Sequence, residues 1–293
     1  EAIRSGADGI GLCRTEHMFL GDRLPAIRKV LTADDEKSQK TALIELREIQ
    51  KQDFINVLEP MEGKPVTVRL LDAPLHEFLE DNEEQNPMLG LRGVRLALSI
   101  EGLYRTQTQA LIAAVEQQIE NGKTPTVEIM VPLIAIEKEL EAILEAIVEE
   151  IRKSPIPIPL GTMIETPRAA LIAGELAPHV DFISFGTNDL TQMTFGFSRD
   201  DVEATVINEY IKKGILEESP FSTLDQIGVG ELIKTAIEKS KEANPAIKIG
   251  ICGEHGGDPK SIRFLSDVGV DYVSCSPPRL PIARLVGAQQ SIL

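Results

Sequence analysis

Three cysteines, Cys13, Cys252 and Cys275, are the only thiols in 293 residues, and they show neither a CxxC nor any paired spacing. A disulfide framework or a structural zinc site is therefore not expected, and this usage fits a reducing compartment. Long apolar runs are missing as well. None approaches the roughly 18 residues of a membrane span, and no charged-then-apolar signal segment opens the chain. The expectation is a cytoplasmic protein, or a plastid one if the source is a plant, with no membrane partner. Basic residues are the minority, 30 against 46 acidic ones, for a net charge of −16. An average field of that sign repels polyanions and argues against nucleic acid as a partner. A small anionic ligand is still compatible, provided local arginines or a metal override the field.

Familiar nucleotide and zinc signatures are absent too. The "GKT" at 122–124 lacks the glycine five positions earlier that a phosphate loop needs, where Gln117 stands, and there is no GxGxxG. No HExxH-type pair occurs among His17, His76, His179 and His255, and for His76 and His179 surface or packing roles are preferred. No repeat period or low-complexity tract interrupts a composition of 42% hydrophobic and 26% charged residues, that of an ordinary globular chain.

What is present is an alternation of short β-rich runs with longer helical ones, the pattern of βα units around a parallel sheet. Seven strands are predicted: "GIGLCR" (9–14), "VTVRLLD" (66–72), "VEIMVPL" (127–133), "GTMIET" (161–166), "FISFG" (182–186), "KIGICGE" (248–254) and "YVSCSP" (272–277). Several are apolar almost throughout, as strands buried on both faces are. Between them, "AIEKELEAILEAIVEEIRK" sets Ile136, Leu140, Leu144, Ile147 and Ile151 at helical spacing. "PRAALIAGELA" and "GVGELIKTAIEKSKEAN" also read as helices, and residues 15–62 form a long, mostly helical connection of the kind that serves an active site or a subunit contact. The length suits a single (β/α)8 barrel of the TIM type. Because a closed parallel barrel has eight strands and "EAIRSGADG" reads as a helix end, the expected fold is an α/β barrel whose first strand lies upstream, in a fragment of a larger protein.

In such folds the reactive groups stand at the carboxyl ends of the strands. Reading off those ends gives Arg14, Arg69 with Asp72, Pro132, Glu165, "GTNDL" (186–190), Cys252 with Glu254, and Cys275. Glu165 and Asp189, with Asn188 beside them, are hard oxygen donors suited to Mg²⁺. "GTNDL" alone reads better as a helix cap, but two carboxylates from adjacent strands favour a metal. Arg14 and Arg69 end different strands, and Arg92 in "NPMLGLRGVRL" is a third guanidinium suited to a carboxylate or phosphate. The plain alternative for each is an internal ion pair with an acid such as Asp72 or Glu16. It is weaker for Arg69, a charge within a buried strand that needs an anion. Cys252 taken alone is a core thiol. Its place among arginines and carboxylates, and the room left by Gly253, Gly256 and Gly257, favour a thiol presented to substrate. Glu254 and His255 are left as groups that could tune it, while Cys13 and Cys275 are read as packing residues.

Taken together, "GIGLCRTEHMF", "VRLLDAPLHEF", "NPMLGLRGVRL", "GTMIETPRAAL", "FISFGTNDLTQMTFGFSRDD", "GICGEHGGDP" and "YVSCSPPRLPIARL" closely resemble the C-terminal domain of the pyruvate, phosphate dikinase family, over practically the whole chain. Phosphoenolpyruvate synthase and enzyme I of the sugar phosphotransferase system share the RTE-like, GTND-like and GxCGE-like pieces but generally lack the longer motifs. The resemblance implies that residues 1–293 are a phosphoenolpyruvate/pyruvate-binding (β/α)8 barrel that uses Mg²⁺ and usually mediates a homodimer. It also implies a phosphohistidine on a separate domain that exchanges its phosphoryl group with pyruvate there. Carried over, it makes Arg14 and Arg69 ligands of the substrate phosphate and Glu165 and Asp189 ligands of Mg²⁺. Gly186, Thr187 and Asn188 line the substrate, and Cys252 is the acid and base at the methyl carbon; Arg92 stands beside this set as a candidate substrate contact read from the residues alone. A thiol, with an unperturbed pKa of about 8.5, serves either direction.

Departures from the family pattern are Ala73 for a common proline, Thr166 for a larger aliphatic and Pro278 for an aromatic. No segment resembles the family's phosphohistidine stretch or its ATP-binding domain, so the chain by itself is expected to carry out at most a partial reaction. The alternatives are a phosphoenolpyruvate synthase or enzyme I type domain, a carbon–carbon lyase of the pyruvate-enolate type, and a non-catalytic dimerisation barrel.

Overall fold

A computed structural model describes residues 1–80 and 84–292. All seven predicted strands form: β1 (Ile10–Arg14), β2 (Pro65–Arg69), β3 (Thr126–Val131), β4 (Leu160–Ile164), β5 (Phe182–Gly186), β6 (Lys248–Cys252) and β7 (Tyr272–Val273). They follow chain order, β1-β2-β3-β4-β5-β6-β7, in one sheet. This is the α/β order of a (β/α)8 barrel, with seven strands among the described residues. Five of the seven strands stop two to four residues before the sequence-based expectation ends them. Asp72, Glu165, Glu254 and Cys275 therefore sit just beyond their strands, where the chain has left the ladder and is free to turn.

The chain divides into two compact units, one comprising residues 12–133 and 137–160, the other residues 1–11, 134–136 and 161–293. In the first, helices α1 (Leu24–Leu31) and α2 (Glu36–Leu58) occupy the long connection after β1, as its helical pattern predicts. Asp35 caps α2 by accepting from the Ser38 amide at 2.8 Å, which satisfies one of the free donors at a helix start. After β2 come α3 (Gly93–Ser99) and α4 (Leu103–Glu120), and after β3 comes α5 (Glu137–Ile151). β2 and β3 pair in parallel with Thr67 opposite Glu128, and the Thr67 hydroxyl donates to the Glu128 carboxylate at 2.7 Å, so a polar pair inside the sheet is satisfied. On α5 the buried stripe is Leu140, Ile143 and Ile147. The predicted Ile136 precedes the helix and is exposed, and Ile143 takes the core position expected of Leu144. The 3.6-residue period admits either neighbour until packing selects one.

The second unit pairs β4, β5, β6 and β7 in parallel, with Gly186 opposite Cys252. Its helices are α6 (Pro167–Leu171), α7 (Ala173–Leu176), α8 (Thr187–Phe195), α9 (Arg199–Val202), α10 (Val206–Lys212), α11 (Val229–Ala243), α12 (Pro259–Asp267) and α13 (Leu280–Gln290). The run predicted as one helix from Pro167 is two, broken at Ile172. Thr166, a departure from the family pattern, caps α6 by accepting from the Ala169 amide at 3.1 Å, a role that an aliphatic residue cannot fill. Among the described residues no helix is long and apolar enough to cross a membrane.

Candidate active site

The amino-terminal unit gathers the three predicted arginines around one acid. Asp72 is fully buried just past β2. Its two oxygens receive Arg92 Nε and Nη2, both at 2.7 Å, in the bidentate fork that a guanidinium offers. The same carboxylate lies 3.0 Å from Arg69 Nη1. Arg69 also pairs with Glu16 and donates through Nη2 to the Asp72 carbonyl at 3.1 Å. Arg14, half-exposed at the end of β1, is close enough to pull both Glu16 and Asp72 toward the ionised state. Burial alone raises the Asp72 carboxyl, yet Arg69 and Arg92 outweigh it and hold the group below its usual range. For Glu16 the balance is reversed. Burial is the larger effect and raises its carboxyl despite Arg69. Internal acids thus supply the anion that a charge within β2 requires, so the ion-pair alternative describes Arg69 and Arg92 in the unliganded protein.

Helix α4 holds the end of β2 in place. The Gln107 carbonyl accepts from the Leu71 amide at 2.8 Å, the Tyr104 hydroxyl donates to the Leu71 carbonyl at 2.8 Å, and the Gln107 amide donates to Thr15 Oγ1 at 3.3 Å. The Thr15 hydroxyl in turn donates to the Arg69 carbonyl at 3.1 Å. These bonds satisfy backbone groups that no longer have a strand neighbour. The sequence reading misses both α4 residues. Their signal is a polar pair, three apart, on a helix face otherwise occupied by Leu103, Ala110 and Leu111.

The carboxyl-terminal unit carries the remaining candidates. Glu165 is 0% exposed just after β4, and its carboxylate lies against Gly186 so closely that a Cβ there would come 2.5 Å from Oε2. Thr187, Asn188 and Asp189 form the first turn of α8, with Thr187 buried and the other two half-exposed. Glu165, buried after β4, and Asp189, half-exposed in the first turn of α8, are both hard oxygen donors of the kind Mg²⁺ takes. Asn188 Oδ1 accepts from the Glu254 amide at 3.1 Å, which leaves its NH₂ available as a donor.

Cys252 ends β6 with 2% exposure. Ser184 Oγ donates to its Sγ at 3.5 Å, and the thiol faces the Phe185 carbonyl at 3.6 Å. One neighbour can stabilise a thiolate and the other a thiol. Ser184 is a further residue the sequence reading leaves out, although its alternation with Phe182 and Gly186 along β5 places all three on one face. The other two thiols behave as packing residues. Burial pushes the Cys13 thiol up to about 12 and raises that of Cys275, which packs against Ile262, Ala283 and Val286.

His255 is fully buried beside this strand end. Its Nε2 lies 2.9 Å from the Pro220 carbonyl, which can only accept, so Nε2 carries the proton. Burial lowers the imidazole pKa and keeps the ring neutral, so Nδ1 accepts from the Thr187 hydroxyl at 2.8 Å. His255 thus orients Thr187, whose hydroxyl also lies 3.4 Å from the Cys252 carbonyl. Gly253 has φ = 121°, and a Cβ there would lie 2.7 Å from Thr187 Oγ1, so only glycine fits. Gly256 and Gly257 do not leave room for a ligand as predicted. Side chains there would strike the Ser274 backbone and Arg279, so these glycines serve close internal packing.

Strand order and strand-end chemistry define a protein of the (β/α)-barrel class, with arginine and thiol groups at the carboxyl ends of its strands and carboxylates just after them. The chain belongs to the family described as PEP-utilising enzyme, PEP-binding domain, whose model matches residues 1–292. It is 47% identical over 98% of its length to "Pyruvate, phosphate dikinase 1, chloroplastic" of Arabidopsis thaliana, of which it covers 33%. It is 46% identical over 99% of its length to "Pyruvate, phosphate dikinase" of Clostridium symbiosum, covering 37% of that protein. The chain therefore spans about a third of the length of these relatives, and the resemblance to the phosphoenolpyruvate-binding domain of the dikinases stands. A solved citrate lyase structure from Burkholderia xenovorans aligns with a TM-score of 0.47 at 15% identity, over 89% of this chain and 81% of that one. That likeness is too slight to carry an argument.

Proposed function

We propose that residues 1–293 form the phosphoenolpyruvate/pyruvate-binding domain of a pyruvate, phosphate dikinase-type phosphotransferase. In this reading a phosphoryl group passes between a phosphohistidine on a partner domain and pyruvate. The observation that carries the reading is the match of residues 1–292 to the PEP-binding family, and the geometry supports it residue by residue. Arg14 and Arg69 bind the transferred phosphoryl group, with Arg92 helping to fix Arg69 through their shared Asp72. Asn188 donates its amide to the substrate, and Gly186 and Thr187 line it beside Glu165.

Cys252 moves the proton at the methyl carbon. In the direction of phosphoenolpyruvate synthesis its thiolate takes that proton, the C–H electron pair becomes the C=C bond, and the enolate oxygen bonds to phosphorus as the P–N bond to histidine breaks. The Ser184 hydroxyl stabilises the thiolate beforehand and the Phe185 carbonyl accepts from the thiol afterwards. In the reverse direction the thiol protonates the same carbon. Glu165 and Asp189 would hold Mg²⁺, which when bound neutralises charge on the keto and carboxylate oxygens of pyruvate. Phosphoryl transfer itself needs chiefly positioning and neutralisation of charge, which the arginines provide.

A homodimer and a reducing compartment belong to the same reading. The named plant relative is chloroplastic, and three cysteines without paired spacing suit the plastid stroma and the cytoplasm alike.

The test is solvent exchange of pyruvate methyl protons, monitored by NMR with Mg²⁺ present. The chain exchanges them slowly and does not make phosphoenolpyruvate from ATP. Cys252→Ala loses exchange but keeps phosphoenolpyruvate binding by calorimetry. Exchange at the wild-type rate in Cys252→Ala removes the thiol from the mechanism, and ATP-dependent synthesis by the isolated chain contradicts the partial-reaction reading.

A further inference from the structure

The proposed reaction leaves one buried acid of the arginine cluster without a task. Glu16 lies two residues after Arg14 and is 6% exposed. One carboxylate oxygen pairs with Arg69, while the other, Oε2, is buried without a hydrogen bond. Asp72 contrasts with it in the same cluster, since both of its oxygens are engaged by guanidinium groups. Arg69 therefore sits between a firmly anchored acid and a loosely anchored one. An anion arriving at Arg69 meets less resistance on the Glu16 side.

The charges around Glu16 decide its protonation once it is displaced. From β1 it faces Arg14 and the Cys13 thiol, from β2 it faces Arg69, and from the segment after β2 it faces Asp72. Arg69 first, then a hydrogen bond from its own backbone amide, and then Arg14 favour its ionised form. Burial and Asp72 oppose it. A ligand phosphate that occupies the two arginines weakens the largest attraction that keeps Glu16 charged and adds a second like charge nearby. The other acids of the cluster cannot respond in its place. Cys13, at about 12, is already protonated, and Asp72 is held ionised by two arginines.

We propose that Glu16 is a displaceable counter-ion on Arg69, whose carboxylate yields to the phosphate of an incoming ligand and takes up a proton as that ligand binds. The inference rests on the reading that Arg14 and Arg69 receive substrate phosphate. It assigns Glu16 a positioning role toward Arg69 in the empty site and makes phosphate affinity depend on pH.

Calorimetry tests it, with phosphoenolpyruvate and Mg²⁺ titrated into the chain in buffers of different ionisation enthalpy across the neutral pH range. Wild type takes up about one proton per ligand more than Glu16→Gln, and its affinity relative to that variant falls by up to about tenfold per pH unit as pH rises. The ligand's own phosphate ionisation, near pH 6, is common to both proteins and cancels in the comparison. Infrared difference spectra of the wild type give a second readout that needs no variant: the band of a protonated carboxyl grows on ligand binding. Binding with equal proton counts in the two proteins, or with no such band, overturns the inference and leaves the functional reading intact. Failure of wild type to bind phosphoenolpyruvate at all overturns both.

Discussion

Asp72 illustrates what a single residue contributes here. It neutralises two buried guanidinium groups at once, and removing one partner of such a cluster leaves charges uncompensated in a poor solvent for them. Asp72→Asn is expected to lower stability by about 3–5 kcal/mol at neutral pH, measured by urea unfolding. The effect has a defined pH dependence. The folded-state pKa of Asp72 lies below its unfolded value, so its contribution is complete above an unfolded pKa of about 3.9. It is lost as pH falls through the lower folded value, and the gap between the two proteins should close in acid. A midpoint unchanged by the substitution at neutral pH would show that Glu16 and solvent suffice for the arginines. At this scale the sequence names the participants, Arg14, Arg69, Arg92, Asp72 and Glu16, but not their pairing. An arginine looks the same on paper whether it waits for a phosphate or grips an aspartate 20 residues away.

At the scale of elements, the end of β2 depends on a helix that lies more than 30 residues further along the chain. Gln107 satisfies the Leu71 amide and Tyr104 the Leu71 carbonyl, so α4 fixes the short segment that carries Asp72. Gln107→Leu preserves volume roughly but strands a buried amide, at a cost of about 1–3 kcal/mol. Amide hydrogen exchange at Leu71 should accelerate in this variant while exchange within β3 stays slow, and uniform acceleration through both would mean the helix acts only as bulk packing. Strand placement is legible from apolar runs and turn residues, and all seven strands form where those signals put them. Strand ends are not legible in this way, because a ladder stops where its neighbour stops, and that is a property of two segments rather than one.

For the whole molecule, the overall charge of −16 and an anionic substrate are compatible because three arginines are concentrated in one neighbourhood against two acids. Ligand binding should then appear as added stability. At a hundredfold excess over the dissociation constant, phosphoenolpyruvate with Mg²⁺ should contribute about 2.7 kcal/mol, seen as a raised melting temperature that a chelator abolishes. A shift that persists after metal removal would relieve Glu165 and Asp189 of the proposed metal role. The same linkage separates a binding domain from an inert scaffold, since the scaffold shows no shift with either component.

The sequence by itself determined the alternation of strands and helices, which apolar runs become strands, and membership of a family through long motifs. These are local properties, set by the period of apolar residues and by the identity of neighbours along the chain. Only the tertiary structure decided that Glu16 and Asp72 hold the arginines, that Ser184 and Phe185 embrace the Cys252 thiol, and that Gly256 and Gly257 serve packing instead of a ligand. The Glu16–Arg69 pair joins residues 53 apart and the Ser184–Cys252 contact residues 68 apart. Ionisation and hydrogen bonding respond to distance and dielectric in space, and neither is written in the order of the residues.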